Sequence, residues 1–487
     1  MARIVGLRGN GWTMRYMQAM WAIVFLAVHG LGQNTVDAST LPSAPAPQEA
    51  RPQIAMARGQ QMPQPATPQS TSALSTPQAA GTRTLLSVQD AQALALKNNP
   101  QITVGRLTAL ASQQVTREVR SAYWPQAQIA LTAVDAPTNT RVTAGALNNP
   151  LIYERAAAGA MVSQLVTDFG RTSNLVASSN LAAKAENQNA LATKEQILLA
   201  VDQAFYGAMQ AQAVLTVAQQ TVKDRQTVSD QVGALFRSKL KSQLDLSFAN
   251  VNLAQAQLLL VDAQNNLDAT QATLSSVLGF QNLQNFQLVD DTSPVEVPPD
   301  NIDELISTAF SMRPEILALQ YQTESAKRFQ KAERDLLLPD IRAIGAVGDT
   351  PVRNPAIDAW YGTVGVNMDI PVFNGFLYTA RAKEASLRAQ ATQERLRDLK
   401  DRIARDVRTS WLNAKAAHDR LAVTQQLLEQ ADLSLNLAQS RYKLGLGSIV
   451  ELSQAQLQET QAQIANAEAG YDYRLSLAVL QYQTKGI

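Results

Sequence analysis

Eight residues between Ala417 and Tyr442 (Ala417, Leu421, Thr424, Leu428, Ala431, Leu435, Ala438, Tyr442) alternate spacings of four and three. Such a seam commits the segment to a helix packed lengthwise against another helix. Leu198, Val201, Phe205, Ala208, Gln212, Leu215, Gln219 and Val222 repeat the pattern. So do Leu253, Ala256, Leu260, Ala263, Leu267, Thr270, Leu274 and Val277. Small residues recur in the seams, as close approach of antiparallel helices requires. Residues 170–236 and 376–442 each supply 67 helical positions, roughly 100 Å at 1.5 Å per residue. Return helices are expected near 240–279 and 448–485.

These seams belong to a unit written twice. Asn98-Asn99-Pro100 returns as Met312-Arg313-Pro314, and Trp124-Pro125 as Leu338-Pro339, both 214 residues later. Val201-Asp-Gln-Ala-Phe-Tyr206 aligns with Val407-Arg-Thr-Ser-Trp-Leu412, and the stretch 236–246 with 442–452, at an offset of 206. The first half therefore carries a longer loop before Val201. A period of this length is an internal duplication, not a solenoid repeat. Each half reads as helix, strand, strand, long helix, helix. Shorter helices are expected near 101–123 and 314–337, opened by proline and ended by the pre-proline residues Trp124 and Leu338. They are long enough to stack end to end on the return helices.

Strands are expected at 126–135, 154–166, 340–348 and 360–370. The last has Trp360, Val364, Val366, Met368 and Ile370 on one face and Tyr361, Thr363, Asn367 and Asp369 on the other, the period of two of a half-lipid, half-polar strand. A half-buried strand in a soluble sheet would read the same way.

Arg3, Arg8 and Arg15 precede an apolar run from Ala19 to Leu31, with Gly30-Leu31-Gly32 as a small-x-small site. This order predicts a signal peptide over 1–32, with Met14 as an alternative start. Residues 33–84, rich in Pro, Gln and Ala, read as a disordered linker. No later run reaches the roughly 18 apolar residues of a membrane helix, so a membrane would be entered through strands. Four strands are too few for a membrane barrel, which needs about eight, and open edges are forbidden in lipid. Several chains would have to share one barrel.

The chain has no cysteine, which excludes disulfides, thiolate chemistry, Cys-ligated metals and a lipidated N-terminal cysteine. It has two histidines, His29 in the signal segment and His418. That leaves little for a His-based metal site or triad, so no cofactor and no enzyme activity are expected. A net charge of +1 gives no case for nucleic acid. Asp168-Phe-Gly170 reads as a strand-to-helix turn, and His418 as a solvated surface residue.

Residues 85–486 resemble the TolC family of outer-membrane efflux proteins. The resemblance is carried by the duplication, Asn98-Asn99-Pro100 with Arg313-Pro314, the turns Asp168-Phe-Gly170 and Pro371-Val-Phe-Asn-Gly375, and above all the stretch from Arg441-Tyr-Lys-Leu-Gly to Gln454-Ala455. It implies a mainly α fold with a β-barrel part: long antiparallel coiled-coil helices forming a tunnel, and four strands per chain in a shared trimeric 12-stranded barrel. It divides the chain into a first efflux repeat at 85–280, a connection at 281–300 and a second repeat at 301–487. It implies an efflux duct in the cell outer membrane with the tunnel in the periplasm. The implied partners are two further copies of the chain, a periplasmic adaptor, an inner-membrane transporter and outer-membrane lipid. A secreted or periplasmic coiled-coil scaffold without a pore is the alternative.

The same resemblance places a pore constriction or gate at Glu451, Gln454, Asp245 and Tyr442. It places adaptor contact at Leu444, Gly445 and Leu446. Glu451 and Gln454 fall on the two positions of the constriction motif, and Tyr442 and Asp245 on a hydrogen-bonded tip network whose basic position is Gly447 here. Two departures stand out. Ser238-Lys239-Leu240-Lys241 lacks the usual glycine, and Phe376 replaces a second glycine after the strand. From the residues alone, Ser448-Ile-Val-Glu451 and Ser242-Gln-Leu-Asp245 read as capping boxes.

Overall fold

The computed structural model describes residues 84–135, 137, 155–290, 297–349 and 358–486. The expected signal segment and the linker up to residue 83 lie outside them. The first half runs β1 (Thr84–Leu86), α1 (Val88–Asn98), α2 (Pro100–Arg120), β2 (Gln126–Val134), β3 (Arg155–Thr167), α3 (Arg171–Arg237), α4 (Gln243–Val277) and β4 (Phe286–Leu288). The second runs α5 (Ile302–Met312), α6 (Pro314–Arg334), β5 (Asp340–Asp349), β6 (Trp360–Asp369), α7 (Leu377–Lys443) and α8 (Ile449–Thr484). The long helices α3 and α7 are each 67 residues, as expected and displaced by one position. Helices α2 and α6 are each 21 residues with proline at their first position. Trp124 and Leu338 then turn to extended backbone ahead of their prolines.

Alanine at every seventh position forms the helix seams. Ala249, Ala256 and Ala263 are buried on α4, Ala455, Ala462 and Ala469 on α8, and Ala417, Thr424, Ala431 and Ala438 on α7. On α3 the seam differs from expectation. Ala211, Ala218, Arg225 and Val232 are buried, while Gln219 is exposed. Leu215 is buried as expected, while Ala211 and Ala218 take the places expected for Gln212 and Gln219 on either side of it.

Helices α3 and α7 each run past a break between two shorter neighbours. At the first break Asn99 donates from Nδ2 to the carbonyl of Val277 at 2.8 Å. Gly279 sits against it at φ +86°, where a Cβ would lie 2.7 Å from the Asn98 carbonyl oxygen. At the second, Arg313 donates to Gln483 at 2.6 Å and pairs with Glu315 at 2.9 Å. Helix α2 thus continues α4, and α6 continues α8.

Around the first break lies the largest buried cluster: Leu86, Ala91, Ala95, Val201, Phe205, Met209, Leu274, Phe286 and Leu288 among others. It is built by α1 and the parallel pair β1–β4 packing on α3. The duplicate helix α5 buries Ile306 and Ala309, and the first turn of α6 buries Ile316, against Ile403 and Val407 of α7. Sequence patterning did not reveal these elements. Three-residue strands carry no readable period, and β1 pairs with a segment some 200 residues away. The helices did carry a signal: Ser87 accepts from the amide of Asp90, and Asn301 from that of Glu304, at standard cap spacing.

The four longer strands form one antiparallel sheet in the order β2-β3-β5-β6. Its register gathers most of the polar side chains on one face. Ile129, Leu131, Val162, Val347, Val364 and Val366 fall on one face and are exposed. Gln126, Gln128, Ser163, Arg342, Thr363 and Asn367 fall on the other. Among the described residues, no helix is long and apolar enough to cross a membrane.

Candidate gate and docking surface at the helix tips

The turns joining α3 to α4 and α7 to α8 have the same build. Helix α7 ends in a double hydrogen bond, Leu446 N–H to the Arg441 carbonyl at 2.8 Å and Gly445 N–H to the Tyr442 carbonyl at 3.1 Å, with Gly445 at φ +75°. This is a Schellman cap, and glycine accommodates its left-handed residue without strain. Helix α3 makes the same bonds, Leu240 to Leu235 and Lys239 to Phe236, both at 2.9 Å. There the left-handed position holds Lys239 at φ +58°. Leu444 and Leu446 are 74% and 70% exposed, and open space surrounds Gly445.

The two capping motifs behave differently. Ser242 and Asp245 form the full reciprocal box: the Asp245 amide donates to the Ser242 hydroxyl, and the Ser242 amide donates back to the carboxylate at 3.0 Å. Burial pushes the Asp245 carboxyl up. The two bonds from Ser242, with the Lys241 charge, outweigh it and hold the group below the ordinary carboxylate range. At the second tip Ser448 accepts from the Glu451 amide, but the Glu451 side chain leaves the cap and meets Arg441 at 3.2 Å. Its capping box is therefore half made, against the sequence expectation. A Cβ on Gly447 would lie 3.2 Å from the Arg441 side chain and 3.3 Å from the Glu451 carboxylate. Glycine there leaves room for the pair.

Tyr442 is buried in an apolar cluster with Val232, Ala249, Ile449 and Leu452. Burial first, and then the Asp245 charge, push its phenol up. The structure thus brings Tyr442 and Asp245 into one electrostatic environment. Gln454 is exposed one turn beyond Glu451. Sequence reasoning assigned no role to Lys241 or Arg441, although both stand in the quoted tip motifs. It also passed over Arg225, about 18 Å up α3 from the tip. Arg225 is buried and donates to the Gln456 carbonyl at 2.7 Å and the Thr460 hydroxyl at 2.8 Å, with Glu459 at 3.6 Å. Burial pulls its pKa down and pushes that of Glu459 up, partly offset in each by the opposite charge. His418, expected on the solvated surface, is half-buried edge-on to the Tyr473 ring at 5.3 Å.

Long paired helices ending in a two-faced sheet define the class of outer-membrane channels with a periplasmic helical tunnel. The chain belongs to the outer membrane efflux protein family, whose model matches residues 91–280 and 305–482. It is 22% identical over 389 residues to the outer membrane efflux protein BepC of Brucella suis, covering 78% of this chain and 80% of that one. It is 22% identical over 396 residues to the outer membrane protein TolC of Escherichia coli, covering 77% of each. The solved structure of the outer membrane protein VceC of Vibrio cholerae superposes with a TM-score of 0.69 at 16% identity, covering 82% of this chain and 96% of that one. The protein is an outer-membrane efflux protein with its helical tunnel in the periplasm.

Proposed function

We propose that three copies of this chain form the outer-membrane duct of a tripartite export system, with a shared 12-stranded barrel and a gate at the helix tips. The observation that carries this reading is the sheet. One face carries exposed apolar side chains from all four strands, the other carries most of the polar ones beside Met161, Leu165 and Ile344, and β2 and β6 end the sheet at edges unpaired among the described residues. An apolar exposed face suits lipid, and edges in lipid must be paired. Three chains would supply twelve strands. Exposed apolar side chains on the flanks of α4 (Leu244, Val251, Leu258) and α7 (Val423, Leu427, Leu437) suit packing between copies.

In this reading Glu451, Gln454, Asp245 and Tyr442 line or hold the tip opening. Leu444, Gly445 and Leu446 receive a periplasmic adaptor, and an inner-membrane transporter supplies the energy. Light scattering in detergent should give a trimer, and planar bilayers should show conductance. A folded, monodisperse monomer, or a trimer that never conducts, would defeat the duct and favour a scaffold without a pore. For docking, Gly445→Trp should abolish adaptor-dependent efflux at normal protein level. Gly445→Ala, equally strained but not bulky, should retain it. Efflux in both variants would remove this contact.

A further inference from the structure

We propose that Lys241 is a positioning residue that holds the two tip hairpins together, its ammonium resting on the Tyr442 ring. Lys241 lies on the α3–α4 turn and Tyr442 on the last turn of α7, so their contact crosses from one hairpin to the other. The ammonium nitrogen sits 3.8 Å from the ring centroid, well inside the range over which a cation is held by an aromatic face. The ring is buried and lysine half-buried, which strengthens the attraction relative to an exposed pair. The tyrosine hydroxyl is buried and, among the described residues, meets no hydrogen-bond partner. The nearby Asp245 carboxylate takes its bonds from the hydroxyl and amide of Ser242, both through one oxygen, and none from Tyr442. Tyr442 therefore links the hairpins at the tip through its ring and not through its hydroxyl, while Arg225 bonds across them farther up. The duplication pairs Lys241 with Gly447, which has no side chain. Each chain thus carries the contact once.

This inference deepens the gating reading above and is tested separately from it. Amide hydrogen exchange across the α7–α8 turn, in the full chain in detergent, reports how often the tip opens. Lys241→Gln should speed exchange at Leu446–Glu451 about fivefold, and Lys241→Arg should leave it unchanged. Tyr442→Phe keeps the ring and should match the wild type. Tyr442→Leu should speed exchange, and adding Lys241→Gln to it should change nothing more. Unchanged exchange in Lys241→Gln, or exchange in Tyr442→Phe as fast as in Lys241→Gln, would overturn the proposal. Bilayer recordings address the other question. A wild-type protein without conductance would refute the pore, while the exchange rates would still decide the contact.

Discussion

Asn99 and Arg313 occupy the same place in the two halves, one residue before the proline that starts a helix, and each reaches across to the end of another helix. Asn99 bonds to the Val277 carbonyl and Arg313 to the Gln483 side chain. The second joint is charged. Burial first, and then the Glu315 charge, push Glu195 up to about 7, while Arg313 and Lys194 pull it back. Arg313→Gln should therefore cost about 3 kcal/mol by leaving Glu315 without its buried partner. Glu195 binds its proton more tightly in the fold than in the unfolded chain, so its ionisation opposes folding as pH rises through 7. The thermal midpoint of the variant should fall further below wild type at pH 8 than at pH 5.5. Equal deficits at both would show that the loss is one of packing.

Asp202 lies inside the collar formed by α1 on α3 and accepts from the Gln92 amide at 2.6 Å. Burial pushes its carboxyl up to about 6, against the lowering effect of that bond. The folded chain thus favours the neutral form. Its destabilising effect is absent below the ordinary aspartate range and fully present above pH 6. Asp202→Asn keeps an acceptor for Gln92 and should stabilise the protein by on the order of 2 kcal/mol at pH 7.5. Melting curves should show the gain closing towards pH 4.

Lys239 and Gly445 share one backbone position in the two caps, and only one suits it. A side chain in the left-handed region costs about 1 kcal/mol. Lys239→Gly should slow amide exchange in the α3–α4 turn, and Gly445→Ala should speed it in the α7–α8 turn. Changes of the same sign in both would mean that something other than backbone conformation controls the tips.

Glu451 is paired with Arg441 and so would present a muted charge to a pore. If the tips form the narrowest point, Glu451→Gln should weaken cation selectivity and block by divalent cations. Arg441→Gln frees the carboxylate and should strengthen both. Reversal potentials in asymmetric salt would measure the pair of opposite shifts. Parallel shifts would place the selectivity elsewhere.

The long elements were legible because their signals repeat. Four buried positions seven apart, Ala417 to Ala438, announce α7 without help from the rest of the chain. The collar was not legible, since Leu86 meets Leu288 only after two hundred residues have folded between them. At the tips, Ser-x-x-acid marked both helix starts. Whether the acid closes its own cap, as Asp245 does, or turns to Arg441, as Glu451 does, depends on the three-dimensional neighbour. The cross-hairpin meeting of Lys241 with Tyr442 has no local pattern at all.

The sheet has an even number of strands in a plain up-and-down order, β2-β3-β5-β6, every pair antiparallel. Its first and last strands therefore run in opposite directions. Copies joined edge to edge meet antiparallel at each seam, whether two, three or four are joined. Strand polarity is indifferent to copy number. In the proposed ring the number of subunits would then be set by the helices, through the exposed apolar flanks of α4 and α7 that would meet the next copy.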